Sequence, residues 1–440
     1  MKKQVICAAL LCLLLLSSCG QKDTAADAST AANAEPTVSA DETQTTAPEQ
    51  KELVLIQDGK CSFKIVRAEE TTSLMTSNVK ALHQNMQRYT GTSLSIGTDW
   101  THKNAQVDNS QCELLVGETN RQATQDLLAA LPPHSYGIRV TEDKVVIVGT
   151  NENMTALGLY AFESKILLNQ DYTGKGYMRL PVGYELIVTA ESLDTLEGII
   201  RSTHPIAAYV KNARTLSGRN QFTAAQGAAT DGTYFYNVLK KKVGDVETDI
   251  IVKSLVSDFS EIAVSKEMPL DHANDMTYDS KRNLLVIPNM LGTTITRIDP
   301  ETLTIASEID APLPGTPWAI AYNAARDCYV VAAGGRLCIT DENFKMKSSF
   351  PTVSSSQPQV GQGMDADDNF IYMPLSPSSE GNKYNVIMVY DWDGNFVREI
   401  PLEVTTETET ILHDGDNYYM NFNVGGGGRV CDLGFAVAYH

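Results

Sequence analysis

The chain reads as an α/β sandwich domain followed by an all-β propeller, carried behind a short apolar leader. Three observations predict this. In the first half, apolar residues recur at alternate steps of four and three, the spacing of one helix face. Past residue 190 that periodicity vanishes, and β-rich runs cut by Asp, Asn and Gly recur about every 45 residues. At the N-terminus, two lysines precede an apolar run that ends in small residues and a cysteine. The 440 residues suffice for two or three domains, and 42% hydrophobic content suffices for a sizeable core. A formal net charge of -19 repels phosphate backbones, so nucleic acid is excluded as a partner class.

Lys2 and Lys3 form a positive n-region, and Val5–Leu16 is an apolar run too short to span a bilayer comfortably. Leu16-Ser17-Ser18-Cys19-Gly20 then resembles the lipobox of bacterial lipoproteins. That resemblance implies residues 1–19 as signal peptide and lipobox, a diacylglyceryl group on the Cys19 thiol and cleavage before it. It also implies palmitate-type acylation and an extracellular, outward-facing place on the bacterial cell envelope. Acyl chains hold a protein on the membrane without spanning it. Residues 20–50 carry no aromatic and almost no large aliphatic side chain, so they read as a disordered stalk.

Residues 51–190 alternate strands and helices. Leu53–Ile56 and Phe63–Val66 are β-rich; Met75, Val79, Leu82, Met86 and Tyr89 mark a helix that Thr90-Gly91 stops. Leu94–Ile96 and Leu114–Val116 read as strands, and Ala123–Leu131 as a second helix capped by Thr119 or Asn120. Tyr136–Val140 and Val145–Val148 form a hairpin, and Met154, Leu157, Ala161 and Leu168 a third helix. The order β-β-α-β-β-α-β-β-α is an α/β sandwich. Leu115-Val116-Gly117-Glu118-Thr119-Asn120-Arg121, Tyr136-Gly137-Ile138, Val146-Ile147-Val148-Gly149 and Ala156-Leu157-Gly158-Leu159-Tyr160 resemble the non-catalytic N-terminal domain of β-hexosaminidases and α-glucuronidases. The resemblance covers about 130 residues and implies a polysaccharide-related setting with no catalytic residues. Gly117–Arg121 is either a ligand loop or, the preferred reading, a strand-to-helix turn. Ser77-Asn78-Val79-Lys80 fits S-x-x-K but sits on the first helix without companion motifs, so it is read as coincidence.

Residues 191–440 carry the repeat. Its starts are Gln226-Gly227, Asn274-Asp275, Trp318-Ala319, Gln362-Gly363 and Glu409-Thr410, each followed by a turn and an apolar strand. Third strands end near Asp, as in Thr294–Asp299, Leu337–Asp341 and Val386–Asp391, and fourth strands alternate, as in Ile305–Ile309 and Phe396–Ile400. Four antiparallel strands per unit make a propeller blade. The repeat resembles propellers of the broad NHL and quinoprotein-like type. Five blades are expected, with a degenerate sixth in 190–222 as the alternative. The last repeat is one strand short at Tyr439-His440, so Ile206–Val210 is expected to complete it.

No zinc, Walker or dinucleotide motif is present, so no cofactor and no metal are expected. Asp365-Ala366-Asp367-Asp368-Asn369 lacks the mid-loop Gly and bidentate Glu of a calcium loop and reads as a turn. Cys61, Cys112, Cys328, Cys338 and Cys431 are odd in number and read as small buried hydrophobes. In a propeller the inner strands start at one mouth, which would gather Gln226, Asn274, Trp318, Gln362 and Glu409 in a ring beside His272 and Asp275. Amides and carboxylates can bond sugar hydroxyls and an indole can stack on a sugar ring; equally, these groups can bond neighbouring blades and water. The resulting expectation is a lipid-anchored, non-catalytic binding or scaffolding protein for glycans (carbohydrate-binding) or a surface partner. The alternative is a glycoside-active propeller enzyme with two of Asp275, Asp365 and Glu409 facing each other roughly 5–10 Å apart.

Overall fold

The computed structural model describes residues 51–102, 105–244, 246–357, 359–377 and 384–439. Cys19, the leader and the 20–50 segment lie outside the described residues. The architecture is mostly β, built from several largely antiparallel sheets and a mixed sheet flanked by helices.

The mixed sheet has the order Glu185–Thr189, Ser135–Val140, Lys144–Gly149, Glu113–Val116, Lys64–Arg67, Ser95–Thr98. Its last four strands are parallel. Helices α1 (Ser73–Thr90) and α3 (Glu152–Phe162) supply the core of one face, with Val79, Leu82 and Phe162 against Ile65, Leu114 and Ile147. Helix α2 (Gln122–Ala130) covers the other, with Leu127 against Val66, Leu115 and Val146. Burial on both faces is why Lys144–Gly149 is a continuous apolar run. Helix α1 starts where the Thr72 side chain accepts the Met75 N–H and stops at Gly91, whose φ of 78° suits glycine. Helix α2 starts at Gln122, one residue before the expected Ala123, with Arg121 at the N-cap position and no side-chain cap. The expected caps are engaged elsewhere: Thr119 pairs with Thr124 at 2.6 Å and Asn120 bonds Asp99.

Residues from 206 onward form antiparallel sheets set around a ring, a β-propeller. The inner strands are Ala224–Thr230, Thr277–Asp279, Pro317–Asn323, Asp365–Ala366 and Thr408–Asp414. Each touches the next, and Thr408–Asp414 touches Ala224–Thr230, so the circuit closes. The expected strand at 206–210 runs over Ile206–Ser217 and pairs antiparallel with Gly427–Val437. An early strand thus completes the last sheet, and the 190–222 stretch supplies that strand, a short helix α4 (Leu196–Arg201) and connections.

One hydrophobic core runs from α1 and α3 through Ile206 and Ala208 into Phe370, Val389, Met420 and Val437. The chain end is bonded to the helices: Asn78 donates to the Val437 carbonyl at 3.1 Å and accepts the Tyr439 N–H at 2.7 Å. The Tyr160 hydroxyl donates to the Ala438 carbonyl. Asn78, the second residue of the S-x-x-K match, is therefore a structural bolt. Cys61, Cys112, Cys328, Cys338 and Cys431 are all free thiols, the last three buried.

Candidate functional site

The ring of inner strands has two ends. At the strand starts, the expected residues do meet. Gly227 N–H donates to the Ala273 carbonyl at 3.1 Å, and the Asn274 amide donates to the carbonyls of Trp318 (3.1 Å) and Gln362 (3.0 Å). The Gly363 N–H reaches Glu409, and the Asn421 amide reaches the Gln226 carbonyl at 2.6 Å. Every repeat is therefore tied to another at this end.

Asp275 lies inside the ring rather than at its mouth, a correction to its expected place beside a ligand. It is 0% exposed. Its carboxylate accepts the Ile320 N–H (2.8 Å), the Met364 N–H (2.9 Å) and the Thr410 hydroxyl (2.5 Å). Burial pushes its pKa well above the carboxylate range, against the pull of those bonds. A Cβ on Gly227 or Gly363 would collide with Asp275, which explains the glycine after each Gln at the repeat start.

The other expected residues divide. The Asn274 amide donates to two neighbouring strands, the architectural alternative. The Gln226 side-chain amide oxygen Oε1 accepts from Lys240 Nζ at 3.2 Å, and Lys240 Nζ also lies 3.0 Å from His272 Nδ1. His272 is 3.1 Å from Glu247; burial and then Lys240 hold its pKa down. Trp318 is half-buried against Ala319, Met364 and their neighbours, and a Cβ on Gly361 would strike its ring. Glu409 is 2% exposed and burial, then Glu407, drives its pKa well up. Among the described residues no hydrogen bond reaches the Glu409 carboxyl or the Gln362 side-chain amide.

At the strand ends the ring opens into a cavity of about 980 Å³. Tyr278, Tyr322, Asn323, Asp367, His413 and Tyr418 are among its walls, and Asp194–Glu197 borders it from the segment leading into α4. A smaller space of about 60 Å³ inside the ring shares Thr230, Tyr278, Tyr322 and His413 with it and adds Met276, Met364 and Asp365. His413 Nδ1 lies 2.6 Å from Asp365 Oδ2, and its ring stacks on Tyr418 at 5.4 Å and 17°. The Asp365 carboxylate beside it raises the His413 pKa to about 9, so the imidazolium is charged at neutral pH. The cavity walls include no Lys or Arg among the described residues.

Sequence reasoning missed this end. Its signal is an Asp five residues before a Tyr: Asp231 accepts the Tyr236 hydroxyl at 2.7 Å, and Asp367 accepts that of Tyr372 at 2.7 Å. The same carboxylates accept turn amides, Asp231 from Thr233 and Tyr234, Asp367 from Asn369 and Phe370. The 365–369 segment is thus the turn expected over a calcium loop. Asp365, Asp275 and Glu409 do not line one cavity: Asp365 is paired with His413, Asp275 is knotted inside, and Glu409 lies at the other end.

No family model matches the chain, and no curated protein sequence matches it. Among solved structures, it is similar to a glutaminyl cyclase from Myxococcus xanthus, at 13% identity and TM-score 0.40 over 54% of this chain and 99% of that one. It is similar to a virginiamycin B lyase from Staphylococcus aureus at 12% identity and TM-score 0.30, covering 50% and 98%. A WD40-repeat structure follows at 8% identity and TM-score 0.32, covering 51% and 100%. Likeness at these scores carries no argument about activity, and the propeller rests on the chain's own sheets.

Proposed function

We propose that this is a lipid-anchored, outward-facing protein of the bacterial envelope that binds a glycan without cleaving it, at the open end of its propeller. The observation that carries the reading is the roughly 980 Å³ cavity at the strand ends. Tyrosine rings, side-chain amides and carboxylates there offer stacking faces and hydrogen-bonding partners for hydroxyls. The lack of Lys and Arg in its walls favours neutral or cationic ligands over anionic ones. Five blades are supported by the closed circuit of inner strands, and a distinct α/β layer by the helix-covered mixed sheet. The glycoside-hydrolase alternative gains no support, because its three carboxylates do not share a cavity.

The strand-start residues Gln226, Trp318, Gln362 and Glu409 give a second reading, a contact surface at the opposite end. The Gln362 amide and Glu409 carboxyl favour it in that no hydrogen bond reaches them among the described residues, although both are buried.

A glycan array probed with the full chain in detergent tests the main reading. Binding that Tyr278→Ala weakens about tenfold is expected; an array without any bound glycan would sink it. Loss of Trp318→Ala binding with Tyr278→Ala unaffected would move the site to the strand-start end. The anchor is tested by metabolic palmitate labelling, which Cys19→Ala should abolish.

A further inference from the structure

We propose a second sugar subsite, independent of the propeller mouth: the crevice outside the carboxyl ends of the parallel strands Lys64–Arg67, Ser95–Thr98 and Glu113–Val116, where the indole of Trp100 stacks on an uncharged pyranose ring. Open α/β sheets present ligand crevices at this edge, where the loops leaving successive strands diverge. The crevice has a volume of about 540 Å³, within the range of pockets that take small ligands.

Trp100 is 64% exposed, more than any other aromatic side chain among the large exposed hydrophobics. A tryptophan in water is ordinarily a cost that packing removes. Here the neighbouring backbone is fixed, so the indole is displayed rather than left on a loose tip. The buried Asp99 carboxylate accepts the Glu69 N–H and the Asn120 N–H, both at 2.7 Å. The Asp99 N–H donates to the Arg67 carbonyl at 2.9 Å, and its own carbonyl accepts the Asn120 side-chain amide at 2.8 Å. One residue thus ties together the loops that follow three strands. The Trp100 backbone N–H donates to the Thr98 hydroxyl at 3.4 Å.

Glu70 and Glu118 stand in the same walls, and among the described residues neither carboxylate has a hydrogen-bond or ion-pair partner. They are acceptors for sugar hydroxyls in the same crevice as the aromatic plate. Their charge, with the chain's net -19, disfavours uronates and phosphates as ligands of the crevice. The loop Gly117–Arg121 thereby gains a binding role through Glu118, beside its part as a strand-to-helix turn.

The test uses the full chain in detergent and three probes: cellohexaose, chitohexaose and xylohexaose. Tryptophan emission and titration calorimetry are followed in the parent protein, Trp100→Ala and Tyr278→Ala. At least one hexasaccharide should shift the emission saturably. Trp100→Ala should lower its affinity about tenfold or more while leaving the melting temperature unchanged. Binding that survives Trp100→Ala but fails in Tyr278→Ala overturns the crevice and leaves the mouth standing. Binding that fails only in Trp100→Ala does the reverse. No response to any of the three sugars overturns the crevice as a pyranose subsite.

Discussion

The two ends of the propeller ring use the same residue types for opposite ends. At the strand starts, Asp275 is sealed in and accepts hydrogen bonds from two backbone amides and a hydroxyl of three other repeats. At the strand ends, Asp365 holds His413 against Tyr418 at the wall of an open cavity. The difference teaches that a buried carboxylate on an inner strand is not by itself a ligand group. What its partners are decides: Asp275 answers backbone donors that would otherwise be orphaned, whereas Asp365 orients a side chain toward solvent-filled space.

That contrast can be broken most severely at Asp275. Asp275→Ala strands three buried donors and should cost about 3–5 kcal/mol in chemical denaturation. A loss under about 1 kcal/mol would mean the knot is not what closes the ring. The open end should respond to pH instead. The His413 pKa, raised to about 9 by Asp365, lies above the roughly 6.5 of a free imidazole. The stabilisation is therefore complete below about pH 6.5 and is lost as pH rises through about 9, on the order of 1–3 kcal/mol. His413→Gln should remove that slope; an unchanged stability–pH profile would refute the pair's role.

Asp249 sharpens the comparison, being a buried carboxylate without a full set of partners. Its Oδ2 accepts the Leu270 N–H at 3.3 Å, but its Oδ1 has no hydrogen-bond partner. Burial raises its pKa to about 7. Folding therefore favours its protonated form, and stability falls as pH rises from about 4 through 7. Asp249→Asn should stabilise the protein by on the order of 1–2 kcal/mol at pH 8 and change little at pH 4. Destabilisation at pH 8 would show that the charge is compensated after all. The smallest effect on stability belongs to the mouth. Tyr278 is half-exposed and its hydroxyl donates to Asn283 at 2.9 Å. Tyr278→Ala should cost under about 1 kcal/mol while weakening glycan binding. A larger loss in the melt would make Tyr278 a core residue.

Much of the fold was legible along the chain. The 3.6-residue spacing of Met75, Val79, Leu82 and Met86 marks α1 within a few residues of its ends. The repeat starts align in a register in which the Asn274 amide bonds the carbonyls of Trp318 and Gln362 and the Gly363 N–H bonds that of Glu409. The short last repeat pointed to Ile206–Val210, and that strand does pair with Gly427–Val437. These features are local or periodic, and local spacing is written in sequence.

The division of labour between the ends was not. The Gln-Gly pairs at two repeat starts carried a trace of the close approach to Asp275, but only with the ring closed does the reason emerge. Nothing in the spacing of Asp365 and His413, 48 residues apart, marks them as partners. The shared core of α1, α3 and the last sheets likewise joins segments that the change of periodicity near residue 190 separates. Sequence by itself determined which segments are helix, strand and repeat, because backbone periodicity decides what each segment can bury. Only the tertiary structure decided which carboxylates are sealed and which face a cavity. Burial and hydrogen-bond partners depend on what other segments bring to the same place, and those segments lie far apart in the chain.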